Sequence, residues 1–351
     1  MTAEVQHQAW KRFALWAASS TAALFLVLLG GVYLIDPYDT GRSPFSTEPD
    51  LRGQKEVNAT ASVGRNPTYE AAVIGNSTIA LIMPSRLTAL TGIPFAQLSV
   101  PGVQIPEQLT IIDWFMKHHV GTAKALVIAV NRDTWCAHDP TQTGTSPFPF
   151  WRFSDSPFEY LAGLISMSSV EQAGRRLGLV RSSKTEPAVD GYWDYEPIYA
   201  RLLADHSRRR ELLSQRLNEQ QGFADPSFPA VSTLKQKLTA LPADLSVVFV
   251  FPPVFTAKQP RPGTPRHRSE QACRQRFIDF AAERPNTATI DWWNDRPELK
   301  SPDVFIDQIH YRHPIARIME DDIAAALHSI RGIAPMTSSR KVGDTGAPAI
   351  R

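Results

Sequence analysis

The run Ala71-Ala72-Val73-Ile74-Gly75-Asn76-Ser77 joins four apolar residues directly to a polar turn. A continuous apolar run of this length is typical of a strand buried on both faces, as in a parallel sheet. Similar runs follow at residues 95–100, 125–130, 245–251 and, more weakly, 287–291. Helix-like stretches at 78–90, 105–118, 229–241, 269–283 and 314–329 separate or follow these runs. The alternation predicts an α/β fold with a five-stranded, doubly wound parallel sheet.

The composition excludes several classes of protein. The chain has 351 residues, of which 43% are hydrophobic and 21% are charged, and these fractions are ordinary for a globular protein rather than a disordered chain or a multi-span transporter. A net charge of +2 argues against a nucleic-acid partner. Two cysteines exclude a disulfide-dense scaffold, and no Gly-rich phosphate loop is present. We expect no cofactor and no metal.

The N-terminal segment predicts a membrane anchor. Residues 13–35 contain 23 residues without a charge, and a helix of that length reaches roughly 34 Å, enough to cross a hydrocarbon core of about 30 Å. Lys11 and Arg12 precede the segment, and Asp36 and Asp39 follow it. The positive-inside rule then places the N-terminus in the cytoplasm. A cleaved signal peptide is the alternative, but no small-residue cleavage site follows the apolar run.

These features divide the chain into regions. We expect a cytoplasmic tail at 1–12, a transmembrane helix at 13–35, a loosely packed linker at 36–66, one domain at 67–335 and a disordered tail at 336–351. Residues 134–228 form an insertion in that domain, between the third apolar run and the helix before the fourth. Cys136 and Cys273 allow a disulfide if the domain faces an oxidising compartment, although the sequence does not show whether they lie close enough.

Two short motifs carry the chemistry. Ser77 ends a predicted strand and precedes a helix, where a nucleophile can use the free backbone N–H groups of the helix start. The same motif also fits a plain turn with a helix cap. Asp307 and His310 have the Asp-x-x-His spacing that lets a carboxylate orient an imidazole, although a surface pair has this spacing too.

The order of these motifs resembles the SGNH (GDSL-like) hydrolase superfamily. The resemblance covers roughly residues 71–327, with the insertion outside the usual core, and implies a three-layer α/β/α fold. Gly75-Asn76-Ser77 resembles the family's Gly-Asp-Ser block, with Asn76 in place of Asp. The resemblance implies Ser77, Asp307 and His310 as catalytic triad. It implies an oxyanion hole formed by the Ser77 and Gly102 N–H groups and the Asn131 side chain.

The anchor and this domain together resemble the membrane-anchored accessory proteins of polysaccharide O-acetylation and D-alanyl transfer. That resemblance implies a serine acyltransferase that acetylates a cell-envelope or secreted polysaccharide through an acyl-Ser77 intermediate. The implied partners are an acyl donor, a glycan acceptor, the bilayer and a multi-span membrane O-acyltransferase. The implied place is the bacterial inner membrane, crossed once, with the C-terminal domain periplasmic or extracellular.

Two other functions stay open at this point. A carbohydrate or lipid esterase uses the same acyl-enzyme and differs only in its second acceptor, which is water. The third hypothesis is a non-catalytic protein that binds glycan or acts as a scaffold for a membrane acyltransferase. The intact set of Ser77, Asp307 and His310 argues against it.

Overall fold

Five parallel strands form one open sheet in a computed structural model that describes residues 3–45, 56–137, 139–144, 146–181 and 187–333. The strands are β1 Ala71–Ile74, β2 Phe95–Gln97, β3 Ala125–Ala129, β4 Ser246–Phe251 and β5 Thr287–Asp291. Their order is β2-β1-β3-β4-β5, and every neighbouring pair is parallel. The predicted five-stranded, doubly wound sheet is confirmed, and each strand begins within one residue of its predicted start.

The α-helices of the described residues follow in chain order: α1 Ala3–Ile35, α2 Glu56–Arg65, α3 Pro84–Thr91, α4 Ile105–His118, α5 Pro157–Leu164, α6 Met167–Arg176, α7 Ala200–Ala204, α8 His206–Ser214, α9 Pro229–Thr239, α10 Pro265–Glu283 and α11 His313–Ile330.

The sheet is buried on both faces because successive side chains of a strand point in opposite directions. In β1, Ala72 and Ile74 pack in a core with residues of α4, α9 and α10. Ala71 and Val73 point the other way and pack in a second core with residues of α3 and α11. Helices therefore cover the two faces of the sheet.

The predicted helix at 78–90 is interrupted. Ser77–Ile79 forms a single 3-10 turn, and α3 begins only at Pro84. Proline is favoured at the first position of a helix and restricts the residue before it to an extended conformation, so a continuous helix cannot run through Met83. Ser77 therefore lies in a tight turn of its own rather than on a long helix.

The expectation of a loosely packed linker at 36–66 is wrong for the residues that the structure describes there. Helix α2 packs against α4, and Ala61 and Val63 are buried. Asp36 and Asp39 are fully buried, and their carboxylates bond to groups of α2, α5 and α6. We call Asp36 and Asp39 with these partners the clamp. Sequence composition gave no sign of it, because its partners are up to about 140 residues away in the chain.

The insertion at 134–228 contains helices in its described part, namely α5 to α8. Cys136, near its start, forms a disulfide with Cys273 of α10, with the two Cα atoms 5.8 Å apart. The pairing that the sequence left open is present, and it ties the segment after β3 to the helix before β5.

The helix α1 is long and apolar enough to cross a membrane. It begins at Ala3, so the helix also includes most of the predicted tail at 1–12. The predicted tail at 336–351 lies outside the described residues.

Candidate active site

Ser77 lies at the carboxyl edge of the sheet because β1 ends directly before it. Gly75 makes this turn possible: a Cβ atom there would lie 2.6 Å from the Cβ atom of Ala129 on the neighbouring strand. Asn76 caps the turn, since its Oδ1 accepts hydrogen bonds from the N–H and hydroxyl groups of Thr78. The amide oxygen of Asn76 therefore fixes the turn that carries Ser77.

His310 reaches the same edge from the other end of the chain. A bridge between Phe305 and Tyr311 closes the loop that holds it, and the Ile306 N–H donates to the His310 carbonyl at 2.8 Å. Helix α11 follows directly at His313. The loop therefore presents Asp307 and His310 from a short hairpin-like frame anchored on a helix.

The structure brings the three predicted triad residues together. His310 Nε2 lies 2.9 Å from Ser77 Oγ, and His310 Nδ1 lies 2.8 Å from Asp307 Oδ2. Because an ionised carboxylate only accepts hydrogen bonds, the proton belongs on Nδ1, and Nε2 is left as the acceptor facing the Ser77 hydroxyl. This is the arrangement in which an imidazole can take a proton from a serine.

The Asp307 carboxylate is held in its charged form. Burial acts to raise the pKa of Asp307, but the hydrogen bond and charge of His310 and the N–H groups of Ile309 and His310 act against burial. The net effect lowers the pKa below its ordinary value of 3.8. Both N–H groups donate to Oδ1 at 2.9 Å, which leaves Oδ2 for the imidazole.

The two other predicted oxyanion donors follow the strands on either side of β1. Gly102 comes after β2 and adopts a left-handed φ of 75° in an exposed turn. Its N–H makes no hydrogen bond to any residue that the structure describes. Asn131 comes after β3, and its Oδ1 accepts from the N–H groups of Asp133 and Thr134. Asn131 thus caps a short π-helical turn, Arg132–Cys136, with its amide oxygen, and its NH₂ group makes no hydrogen bond to any residue that the structure describes.

Two tyrosines that the sequence did not predict cover His310. The Tyr199 ring stacks on the imidazole with centroids 6.1 Å apart, and the Tyr195 ring lies roughly perpendicular to the imidazole with centroids 5.7 Å apart. The Tyr195 hydroxyl donates to the Tyr311 carbonyl at 2.9 Å. Burial, and after it the negative charge of Asp307, raises the pKa of both phenols, so both stay neutral.

The insertion therefore contributes to this site. The signal in the sequence is the aromatic density of residues 191–199, which contain three tyrosines and one tryptophan. Aromatic density alone does not say which part of the fold the segment will cover, because that depends on contacts more than 100 residues away.

The comparisons with protein-family models and curated proteins do not assign the chain to a family. No protein-family model matches the sequence, and no curated protein matches it significantly.

Proposed function

We propose that this protein is a membrane-anchored serine acyltransferase of the SGNH type, which O-acetylates a cell-envelope or secreted polysaccharide from the outer side of the bacterial inner membrane. The proposal rests on one observation, the two hydrogen bonds that connect Ser77 Oγ to His310 and His310 to Asp307. Further support comes from the parallel sheet with helices on both faces and from the resemblance of Gly75-Asn76-Ser77 and of Asp307 and His310 to the SGNH pattern.

The first half of the reaction forms the acyl-enzyme. Ser77 Oγ attacks the acyl carbonyl carbon while its proton moves to His310 Nε2. The tetrahedral intermediate places a negative charge on the former carbonyl oxygen, to which Ser77 N–H, Gly102 N–H and the Asn131 NH₂ group donate. The bond to the donor's leaving oxygen then breaks, and that oxygen takes the proton from His310.

The second half transfers the acyl group. A sugar hydroxyl gives its proton to His310 Nε2 and its oxygen attacks the acyl carbon. The bond to Ser77 Oγ breaks, and Oγ recovers the proton. The Asp307 carboxylate stabilises the imidazolium in both halves.

Tyr195 and Tyr199, which we call the tyrosine cover, favour transfer of the acyl group to a sugar over its hydrolysis. Water competes with the sugar for the acyl-enzyme, and exclusion of water protects such intermediates. Tyr199 stacks on the His310 ring and Tyr195 lies roughly perpendicular to it, so fewer directions remain from which water can reach the base.

The test is hydrolysis of p-nitrophenyl acetate by the full chain in detergent, with and without an added polysaccharide. We expect turnover that Ser77→Ala abolishes and that Ser85→Ala, a change at an exposed serine on α3, leaves unchanged. We also expect acetate on the polysaccharide. Turnover without acetylated polysaccharide supports the esterase instead, and no turnover that depends on Ser77 contradicts the serine mechanism.

A further inference from the structure

Two helices of the insertion lie against the membrane-spanning candidate α1. Both α5 and α6 contact α1. The Tyr160 ring of α5 lies 6.1 Å from the ring of Tyr33, and Leu164, one turn later, shares a buried cluster with Val32. Helix α5 therefore runs back along α1 towards its N-terminus, and α6 returns. We call residues 161–168, where the two helices meet, the hairpin tip.

An apolar groove separates the hairpin tip from α1. The groove has a volume of about 290 Å³. Apart from Ser166, its lining is entirely apolar and comes from two sources, α1 and the α5–α6 hairpin: Phe25, Leu28, Leu29, Val32, Leu164, Ile165, Met167 and Val170.

The depth of the hairpin tip follows from the length of α1. Phe25 precedes Ile35 by ten residues, which is about 15 Å along a helix. If Phe25 and the residues after it stood outside the bilayer, only residues 13–24 of the apolar run would remain. Those twelve residues reach about 18 Å, and a hydrocarbon core is about 30 Å thick. A spanning α1 therefore brings the hairpin tip, which lies against Phe25 and Leu28, to hydrocarbon depth.

The chemistry of the hairpin tip fits that depth. Residues 160–170 carry no charge, and Glu159 and Glu171 flank them. Ile165 is 55% exposed and Met167 is 82% exposed, so both are free of protein contacts over most of their surface. Removing such apolar surface from water is favourable, so these side chains are more stable in hydrocarbon than in water.

The clamp holds this hairpin and α1 in one orientation. Arg176 lies at the end of α6. Its Nη1 donates to the Asp36 carbonyl at 2.7 Å, and its Nη2 donates to the Asp39 carboxylate at 3.0 Å. The Tyr160 hydroxyl donates to the Asp36 carboxylate at 2.8 Å. Polar contacts therefore join the α5–α6 hairpin to the residues that directly follow α1, next to the groove.

We propose that the hairpin tip inserts into the lipid hydrocarbon beside α1, in the leaflet on the domain's side, and that lipid acyl chains fill the groove. This second membrane contact goes beyond the acyltransferase proposal, since it depends on α1 spanning the bilayer and not on Ser77. Together with the clamp, it fixes the tilt of the domain relative to the membrane, which a single flexible anchor would not do.

The test measures the depth of single fluorescent labels in the full chain, reconstituted in phosphatidylcholine nanodiscs. An environment-sensitive dye is attached to Met167→Cys in the hairpin tip, to Val27→Cys on α1 and to Ala325→Cys, an exposed position on α11 across the sheet. The two native cysteines are joined to each other and do not take up the dye. Quenching by doxyl-labelled phosphatidylcholine is compared with quenching by aqueous iodide.

We expect lipid quenching to remove most of the emission at Met167 and Val27, and iodide to quench only Ala325. Lipid quenching at Val27 with iodide quenching at Met167 overturns the proposal and assigns the groove to another occupant, such as a membrane-protein segment. Iodide quenching at Val27 shows that α1 does not span and overturns the proposal as well. Neither result bears on Ser77, because the labels report position and not turnover.

Discussion

The carboxyl edge of the sheet and the clamp are both polar networks around carboxylates, but the first is only partly buried and the carboxylates of the second are fully buried. At the edge, Asp307 is engaged on both oxygens, yet the chain of hydrogen bonds ends at Ser77, which is partly exposed. In the clamp, Asp36 and Asp39 are fully buried, and their oxygens accept from hydroxyl, N–H and guanidinium groups.

The difference distinguishes a network with groups that a ligand can reach from one whose groups only bind each other and stabilise the fold. A reactive site needs a proton acceptor and a nucleophile that a ligand can reach. Of the two networks, only the one at the carboxyl edge of the sheet has both. The clamp has two guanidinium groups on the Asp39 carboxylate, Arg65 at 2.5 Å and Arg176 at 3.0 Å. Substitutions at the two places should therefore separate activity from stability.

The largest effect is expected at Asp307. In Asp307→Asn, the amide no longer fixes the proton on His310 Nδ1, and we expect kcat to fall about 10⁴-fold, the loss that the same substitution causes in a known serine protease. Ester hydrolysis measures the loss, and an unchanged circular dichroism spectrum shows that the fold is kept. A loss of less than tenfold would mean that the carboxylate does not orient the base.

The second effect concerns the clamp and is one of stability. Asp39→Asn removes the buried carboxylate charge that Arg65 and Arg176 contact, and we expect the free energy of unfolding to fall by about 3–5 kcal/mol. Ester hydrolysis below the melting temperature should not change.

The matched control for the clamp is Glu211→Gln, which breaks an ion pair with Arg208 in which both side chains are more than half exposed. Such pairs contribute about 0–1 kcal/mol. Equal destabilisation by the two substitutions would show that the clamp is no stronger than a surface pair.

The third effect tests the oxyanion donor. Asn131→Asp keeps the oxygen that caps the helix start but removes the NH₂ group, and we expect kcat to fall about 10²–10³-fold with little loss of stability. Asn66→Asp, whose Oδ1 also accepts a backbone hydrogen bond, from Thr68, is the control. Unchanged kcat in Asn131→Asp would remove Asn131 from the oxyanion hole.

The smallest effect is the acid sensitivity that Asp307 adds to folding. Its pKa is lower in the folded chain than the ordinary 3.8, so its stabilisation is present above that value and is lost as the pH falls through the folded pKa. We expect denaturant unfolding to show a steeper loss of stability below about pH 4 for the wild type than for Asp307→Asn. Parallel curves would contradict this.

The strands were predictable because their signal is local. Each apolar run, such as residues 125–130, is long enough to be buried on both faces and is followed by a polar turn. The resemblance to the SGNH pattern then implied that Ser77 and His310 act together, and chemistry in parallel sheets gathers at the carboxyl ends of the strands.

The clamp and the tyrosine cover were not predictable in the same way. Asp39 looks like an ordinary charged residue after an apolar segment, and its burial depends on Arg176 in the insertion. Tyr199 belongs to a segment with no strand or long helix, and its position over His310 depends on the path of the whole insertion. Long-range pairing decides both, and composition does not encode it.

The most direct test of the account is covalent labelling of the full chain with a fluorophosphonate probe, followed by mass spectrometry of the peptides. The account predicts one adduct on Ser77 Oγ, which forms far more slowly in His310→Ala, because the serine then has no base. An unlabelled Ser77 in folded protein, or labelling at the same rate without His310, would contradict the claim that this serine is an activated nucleophile.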